Sequence, residues 1–211
     1  MFQLGKKNFI CIIAFFSLSF SYNLFSKSIF KKLSDFNAQN WTRTRQFFDN
    51  FYEIVPNKFY RSKQLDSKKL GQYIDKYKFA AVVNLRGENP DKKWWVKEKE
   101  ICEKKNVLFY NIAMSAVRLP SKNHLKKLID IFENVQGPIY VHCQGGADRT
   151  GMATAIYMML MQHKTNKEAL QYLAIKYGHR KYKNSAMDFF VNIWQGRDWA
   201  LKIYDPADYS K

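Results

Sequence analysis

From residue 50 onward, apolar positions fall into two patterns: short unbroken runs, and stripes at three- and four-residue spacing. FAAVVNL at 79–85 and PIYVHC at 138–143 are runs of strand length, as expected of strands covered on both faces. VLFYNIAM at 107–114 reads as another strand, and Phe59, Tyr60 and Arg61 as a short one. The stripes lie between the runs. Ser67 starts a helix through Tyr77 that carries Leu70, Tyr73, Ile74 and Tyr77 on one face. Asn89, Pro90 and Asp91 open a charged helix to about Lys105 with Trp94, Ile101 and Cys102 inward. Ser121 caps a third helix, through Asn134, striped by Leu125, Leu128, Ile129 and Phe132 and stopped near Gly137. MATAIYMMLM at 152–161 is helical. Thr165 or Asn166 starts a helix ending before Gly178, and Asn184 with Ser185 starts another through Trp194. Strands alternating with helices imply an α/β fold, a mostly parallel central sheet flanked by helices, with a helical C-terminal third.

The start of the chain follows different rules. Lys6 and Lys7 precede an apolar run from Phe9 to Phe16, and Ser19, Phe20 and Ser21 offer small residues for cleavage, the layout of a secretory signal peptide. The apolar character continues to Phe25, with Lys27, Lys31 and Lys32 just beyond, so a short uncleaved membrane anchor competes with that reading. Residues 1–26 are expected to be one or the other, placing the protein outside the cytoplasm or on a membrane, and residues 27–49 to be a linker with some helix. The 211 residues, 46% apolar, suffice for one well-filled core. A net charge of +17 attracts anions, whether phosphorylated substrates, acidic membranes or nucleic acid. The lysines are scattered, and no zinc spacing or RNA signature accompanies them, so nucleic acid is not expected. Cys11, Cys102 and Cys143 form neither a disulfide framework nor a four-ligand metal site.

One stretch has little that can pack as core. HCQGGADRTG, His142 to Gly151, lies between the 138–143 strand and the 152–161 helix. With a strand ending at Cys143 and a helix starting at about Arg149, the N–H groups of Gln144, Gly145, Gly146, Ala147 and Asp148 would converge with the helix N-terminus on one point, an anion site. A thiol at its base is favoured as thiolate. Arg149 can reach back to give a planar fork to two phosphoryl oxygens, and Thr150 can donate its hydroxyl to the sulfur.

The pattern His-Cys-x-x-Gly-x-x-Arg-Thr-Gly resembles the signature of the cysteine-dependent protein tyrosine phosphatase superfamily, and Phe59-Tyr60-Arg61-Ser62, Val82-Val83-Asn84-Leu85-Arg86 and Gly137-Pro138 look like its compact dual-specificity branch. The resemblance spans about residues 50–211, the expected phosphatase domain. It implies that Cys143 attacks phosphorus, that water hydrolyses the resulting cysteinyl-phosphate, and that Arg149 and the loop amides hold the charge, with no metal or cofactor. His142 would hydrogen-bond backbone near the cysteine and tune it. The superfamily's usual proton donor is an aspartate on a separate loop, here NIAMSAVRLPSKN at 111–123, which has neither Asp nor Glu. Asp148 is the candidate instead, because myotubularin-like and some bacterial members resemble this Ala-Asp-Arg-Thr-Gly arrangement.

Arg86, Arg118 and Lys122 follow sheet strands on the side where an open α/β sheet binds ligands, and are expected to bind further phosphates or an acidic peptide. The run from His179 to Lys183 reads as solvated. Expected substrates are phosphotyrosine or phosphoserine/threonine in proteins. Phosphoinositides or inositol phosphates are a second class, supported by charge and the leader but opposed by a loop without lysine, and a non-catalytic phosphate-binding module is a third reading. A monomer is expected.

Overall fold

The computed structural model describes residues 49–181 and 185–209, so the leader and nearly all of the expected linker lie outside the described residues. Five strands form one sheet: β1 (Tyr52–Val55), β2 (Phe59–Lys63), β3 (Ala81–Asn84), β4 (Leu108–Asn111) and β5 (Ile139–Cys143), in the order β1-β2-β5-β3-β4. All neighbours are parallel except β1 and β2, which form an antiparallel pair at one edge. The expected mostly parallel α/β sheet is therefore present. β1 has no counterpart in the sequence reading, because its burial is only partial and its pattern neither alternates cleanly nor runs unbroken.

The helices are α1 (Ser67–Tyr77), α2 (Lys93–Lys104), α3 (Lys122–Asn134), α4 (Asp148–Met161), α5 (Asn166–Ala169) and α6 (Ser185–Ile193). Ser121 caps α3 by accepting from the His124 N–H, and Thr165 caps α5 in a reciprocal box with Glu168, as their residue types require. At α1 the cap is Asp66, one residue before the expected Ser67, because it is the Asp66 carboxylate that reaches the Lys69 N–H. The helix expected from 165 to 177 is broken into α5 and two short 3-10 turns, Leu170–Tyr172 and Ile175–Tyr177. Asp49, at the end of the expected linker, is buried and ion-paired with Lys63 and Lys69.

The pleat sorts the side chains onto two faces. Phe59, Val83, Ile139, Val141 and Cys143 join one core with α3, α4 and α6. Tyr60, Val82 and Tyr140 join a second with Leu70 and Ile74 of α1 and Cys102 of α2. Along α4 every residue from Thr150 to Met159 is buried, which is why that stretch is apolar all round. Among the described residues no helix is long and apolar enough to cross a membrane.

Candidate active site

β2, β5 and β3 end level with one another: Lys63 pairs with Cys143, and Asn84 with His142. The loop after Cys143 thus emerges at the C-terminal edge of the sheet, between two parallel neighbours, where such sheets place their ligands. Its shape depends on contacts that a local motif cannot specify. The Gln144 carbonyl accepts from Gln64 N–H (3.3 Å), that of Gly145 from Asn50 Nδ2 (3.0 Å), and those of Gly146 and Ala147 from Arg61 Nη2 (2.7 and 3.3 Å). In a trans peptide the carbonyl and the following N–H point oppositely, so tying these carbonyls back to β2 and its flanks turns the N–H groups of Gly145, Gly146, Ala147 and Asp148 the other way. The helix start has no side-chain cap, and from Gln144 onward the first N–H bonded to a backbone carbonyl is that of Gly151, to Ala147 (2.8 Å). A row of main-chain donors at a helix N-terminus is an anion site.

Gly146 makes this close approach feasible. Its φ is +69°, and a Cβ there would lie 2.5 Å from the Lys63 nitrogen and the Ser62 carbonyl carbon. Arg61 is fully buried, bonds the Tyr172 carbonyl through Nη1 (2.9 Å), and stacks 4.1 Å over the Tyr177 ring. Burial lowers its pKa to about 10, partly opposed by Tyr177 and Cys143, so it stays cationic at neutral pH.

Cys143 sits on the floor of this cup with 3% of its surface exposed. Both Arg61 and Arg86 interact electrostatically with it. Arg149 arches across the far side, where Nη1 donates to the carbonyls of Leu85 (3.3 Å) and Met114 (3.4 Å), while its buried Nε has no hydrogen-bond partner among the described residues. That leaves donor capacity on the guanidinium for an anion. The Thr150 hydroxyl is also buried without a partner, so the bond expected from it to the sulfur is not formed. His142 points to the opposite face of the sheet from Cys143. Its Nδ1 lies 3.4 Å from the Cys143 carbonyl, and its Nε2 lies 2.8 Å from Glu98 Oε1 on α2. Glu98 Oε2 accepts from Gln64 (2.8 Å), which in turn accepts from Arg86 (3.2 Å), so a polar chain runs from the loop rim to beneath the cysteine.

Arg86 is the one expected basic loop residue that reaches the cup. It lies flat 3.6 Å over Trp94, and the nearby Arg149 charge, after burial, lowers its pKa. Arg118 is exposed in a turn organised by Ser115 Oγ, and Lys122 donates to the Lys202 carbonyl (3.1 Å), away from the loop. Asp148 Oδ1 is hydrogen-bonded to His179 Nδ1 (2.7 Å), and His179 Nε2 to Asp188 Oδ2 (2.7 Å). His179, read as part of a solvated basic run, is 2% exposed. Burial opposes charge on its ring, but the bonds to Asp148 and Asp188 outweigh burial and raise its pKa above the usual histidine value.

Sequence reasoning thus missed Asn50, Arg61, Gln64, Glu98, His179 and Asp188 as parts of the site. Two had a signal. Arg61 is a charge inside a strand of otherwise buried residues, and Glu98 sits four residues from both Trp94 and Cys102, on the face expected to turn inward. The others are brought in from distant segments.

The family described as a DSP-PTPase phosphatase fused to NAD+ kinase matches residues 33–189. This chain belongs to that phosphatase family. Within the wider group, the chain is 30% identical to human dual specificity protein phosphatase CDC14A over 108 residues, 49% of this chain and 16% of that protein. Mouse CDC14B is 38% identical over 56 residues, 26% of this chain and 12% of that one, so the chain spans well under two thirds of the length of these relatives. Its fold is shared with Pseudomonas aeruginosa TpbA (TM-score 0.54, 19% identity, covering 70% of this chain and 86% of that one). It is shared too with the core catalytic domain of the PP-IP phosphatase SIW14 from S. cerevisiae (TM-score 0.56, 18% identity, 70% and 86% covered). PTPMT1, solved in complex with PI(5)P, has the same fold (TM-score 0.54, 14% identity, 68% and 96% covered). The expected membership of the cysteine-dependent tyrosine phosphatase superfamily, dual-specificity-like, holds.

Proposed function

We propose that this phosphatase hydrolyses phosphomonoesters, phosphotyrosine or phosphoserine/threonine in proteins, through a cysteinyl-phosphate on Cys143. One observation carries the reading: the carbonyls of Gln144, Gly145, Gly146 and Ala147 are tied backward, which turns the N–H groups that follow them away from β2, on the loop that joins Cys143 to Arg149. A phosphoryl group seated there places phosphorus above Sγ, its equatorial oxygens against the amides and the guanidinium. The sulfur forms the S–P bond as the ester oxygen leaves, and Asp148 supplies that oxygen's proton. Water then attacks phosphorus, gives its proton to Asp148, and releases phosphate and the thiolate. Amide donors aimed at the equatorial oxygens stabilise the transition state most, because its charge develops there. His142 supports the cysteine from behind, through the Cys143 carbonyl.

A second substrate class is favoured by Arg86 beside Arg149, two guanidiniums at one cup, together with the net charge of +17: phosphoinositides or inositol phosphates, whose extra phosphates would use Arg86. Arg118 and Lys122 would act, if at all, on a larger substrate's periphery. We infer export or membrane attachment from residues 1–26, and a monomer as the working form. The deciding experiment compares turnover of a phosphotyrosine peptide, a phosphothreonine peptide and a soluble phosphoinositide. Preference for peptides supports the first reading, preference for the inositide the second, and binding without turnover of any would overturn both.

A further inference from the structure

Asp148, His179 and Asp188 form a three-membered chain that the motif does not contain. His179 follows the Ile175–Tyr177 turn and Gly178, whose φ of +85° reverses the backbone and delivers the imidazole under the first turn of α4. Its side chain is 1% exposed, against 8% for Asp188 and 21% for Asp148, so the chain runs from a dry interior to the edge of the cup. Both ring nitrogens are occupied by carboxylate oxygens at 2.7 Å. A buried imidazole bonded at both nitrogens to carboxylates holds two protons for them to share, and Asp188 balances the ring's charge.

Resting on the proposed reaction, we propose that His179, braced by Asp188, is the positioning residue for the proton-transfer carboxyl of Asp148. The problem it solves is local. Asp148 adjoins Arg149 and lies within electrostatic range of Arg61, and a carboxylate so placed would otherwise fold onto a guanidinium. The hydrogen bond from His179 takes Oδ1 and leaves Oδ2 for the ester oxygen, on a side chain that is 21% exposed. In the first step Oδ2–H passes its proton to the leaving oxygen as S–P forms and P–O breaks. In the second, Oδ2 takes a proton from water as the new P–O bond forms and S–P breaks. The imidazole keeps both of its protons throughout, donating to Asp148 and Asp188.

The test uses the full chain and measures kcat and KM on p-nitrophenyl phosphate and on an alkyl phosphate, with vanadate inhibition alongside. Asp148→Asn and His179→Gln should each lower kcat/KM on the alkyl ester by about 10-fold or more, the range of a lost general acid, and barely affect kcat/KM on the aryl ester, while kcat falls on both because the attack of water also needs the carboxylate. Vanadate inhibition should stay within about 2-fold, and the double variant should be no slower than Asp148→Asn alone, because the two residues act as a unit. Should His179→Gln not fold, Asp188→Asn is read in the same assays, with the same pattern expected. Equal loss of kcat/KM on both esters, weakened vanadate inhibition, or multiplying losses in the double variant would make His179 a structural clip and overturn the inference while leaving Asp148 its role. No leaving-group effect in Asp148→Asn overturns both, and absence of aryl phosphate turnover in the unaltered protein overturns the reaction itself.

Discussion

Two thiols in one chain show how little residue type alone decides. Cys102 and Cys143 are both buried and free, yet burial among apolar side chains pushes the Cys102 thiol far above its ordinary range. Cys143 is instead floored against Arg61 and beneath main-chain donors. Of these two, iodoacetate should therefore label Cys143 and not Cys102, and tungstate or vanadate should protect it; labelling unaffected by either oxyanion would mean that no anion cup exists. Cys143→Ser should abolish hydrolysis of p-nitrophenyl phosphate while retaining vanadate-competitive binding of phosphate esters, because a serine hydroxyl is a much weaker nucleophile toward phosphorus than a cysteine sulfur. Activity near that of the unaltered protein would remove the nucleophile from the mechanism. At this scale the sequence was most informative: Cys143 ends β5, Arg149 lies in the first turn of α4, and Gly146 takes a positive φ where the loop passes β2. The Thr150 hydroxyl, expected to bond the sulfur, makes no such bond.

At the scale of elements, the phosphate loop is a ligand of β2 as much as a product of its own sequence. Its carbonyls are held by Asn50, Arg61 and the Gln64 amide, all at or beside that strand. Gly146→Ala should cost about 3 kcal/mol or more, since its φ of +69° disfavours any side chain and the new Cβ would meet rigid backbone at 2.5 Å. The thermal midpoint and the vanadate affinity should fall together; a variant as stable as the parent would show that the loop does not rest on β2. Arg61→Lys keeps charge but loses the fork that spans Gly146, Ala147 and Tyr172, so catalysis should drop at least about 10-fold with weakened vanadate inhibition. Unchanged inhibition would show that the amides orient without it. The long, strongly striped helices were legible in the sequence, as were three of the five strands and the short β2 in outline. The failures were β1 and the 165–177 segment, where short local stretches lack a decisive period and tertiary packing chooses between helix and turn.

Taken whole, the molecule is coupled to pH through His179. Its folded pKa is raised above the unfolded value of about 6.5, so the stability it contributes is present below that value and lost as pH climbs through the folded one. The charged groups in play are Asp148 and Asp188 against the ring, with Arg149 and Arg61 around Asp148. The difference in thermal midpoint between the unaltered protein and His179→Gln should be largest near about pH 6 and shrink toward about pH 9, and a difference independent of pH would mean that folding leaves the ring's pKa unchanged. The same topology that creates this coupling also creates the site: β5 lies between β2 and β3, so one loop receives Arg61 and Asn50 from one side and the Leu85 carbonyl from the other.

By itself the sequence determined the α/β class, the parallel core strands, the helix caps at Ser121 and Thr165, and the loop with its cysteine, arginine and glycines. These are properties of residues near one another in the chain, where hydrophobic period and turn chemistry act directly. Only the tertiary structure decided which way the loop amides face, that Glu98 lies beneath His142, and that Asp148 is held by His179 and Asp188. Those contacts join residues 31 to 95 positions apart or meet across helices, and pairings at such separations are set by how the sheet is ordered and packed rather than by any local pattern.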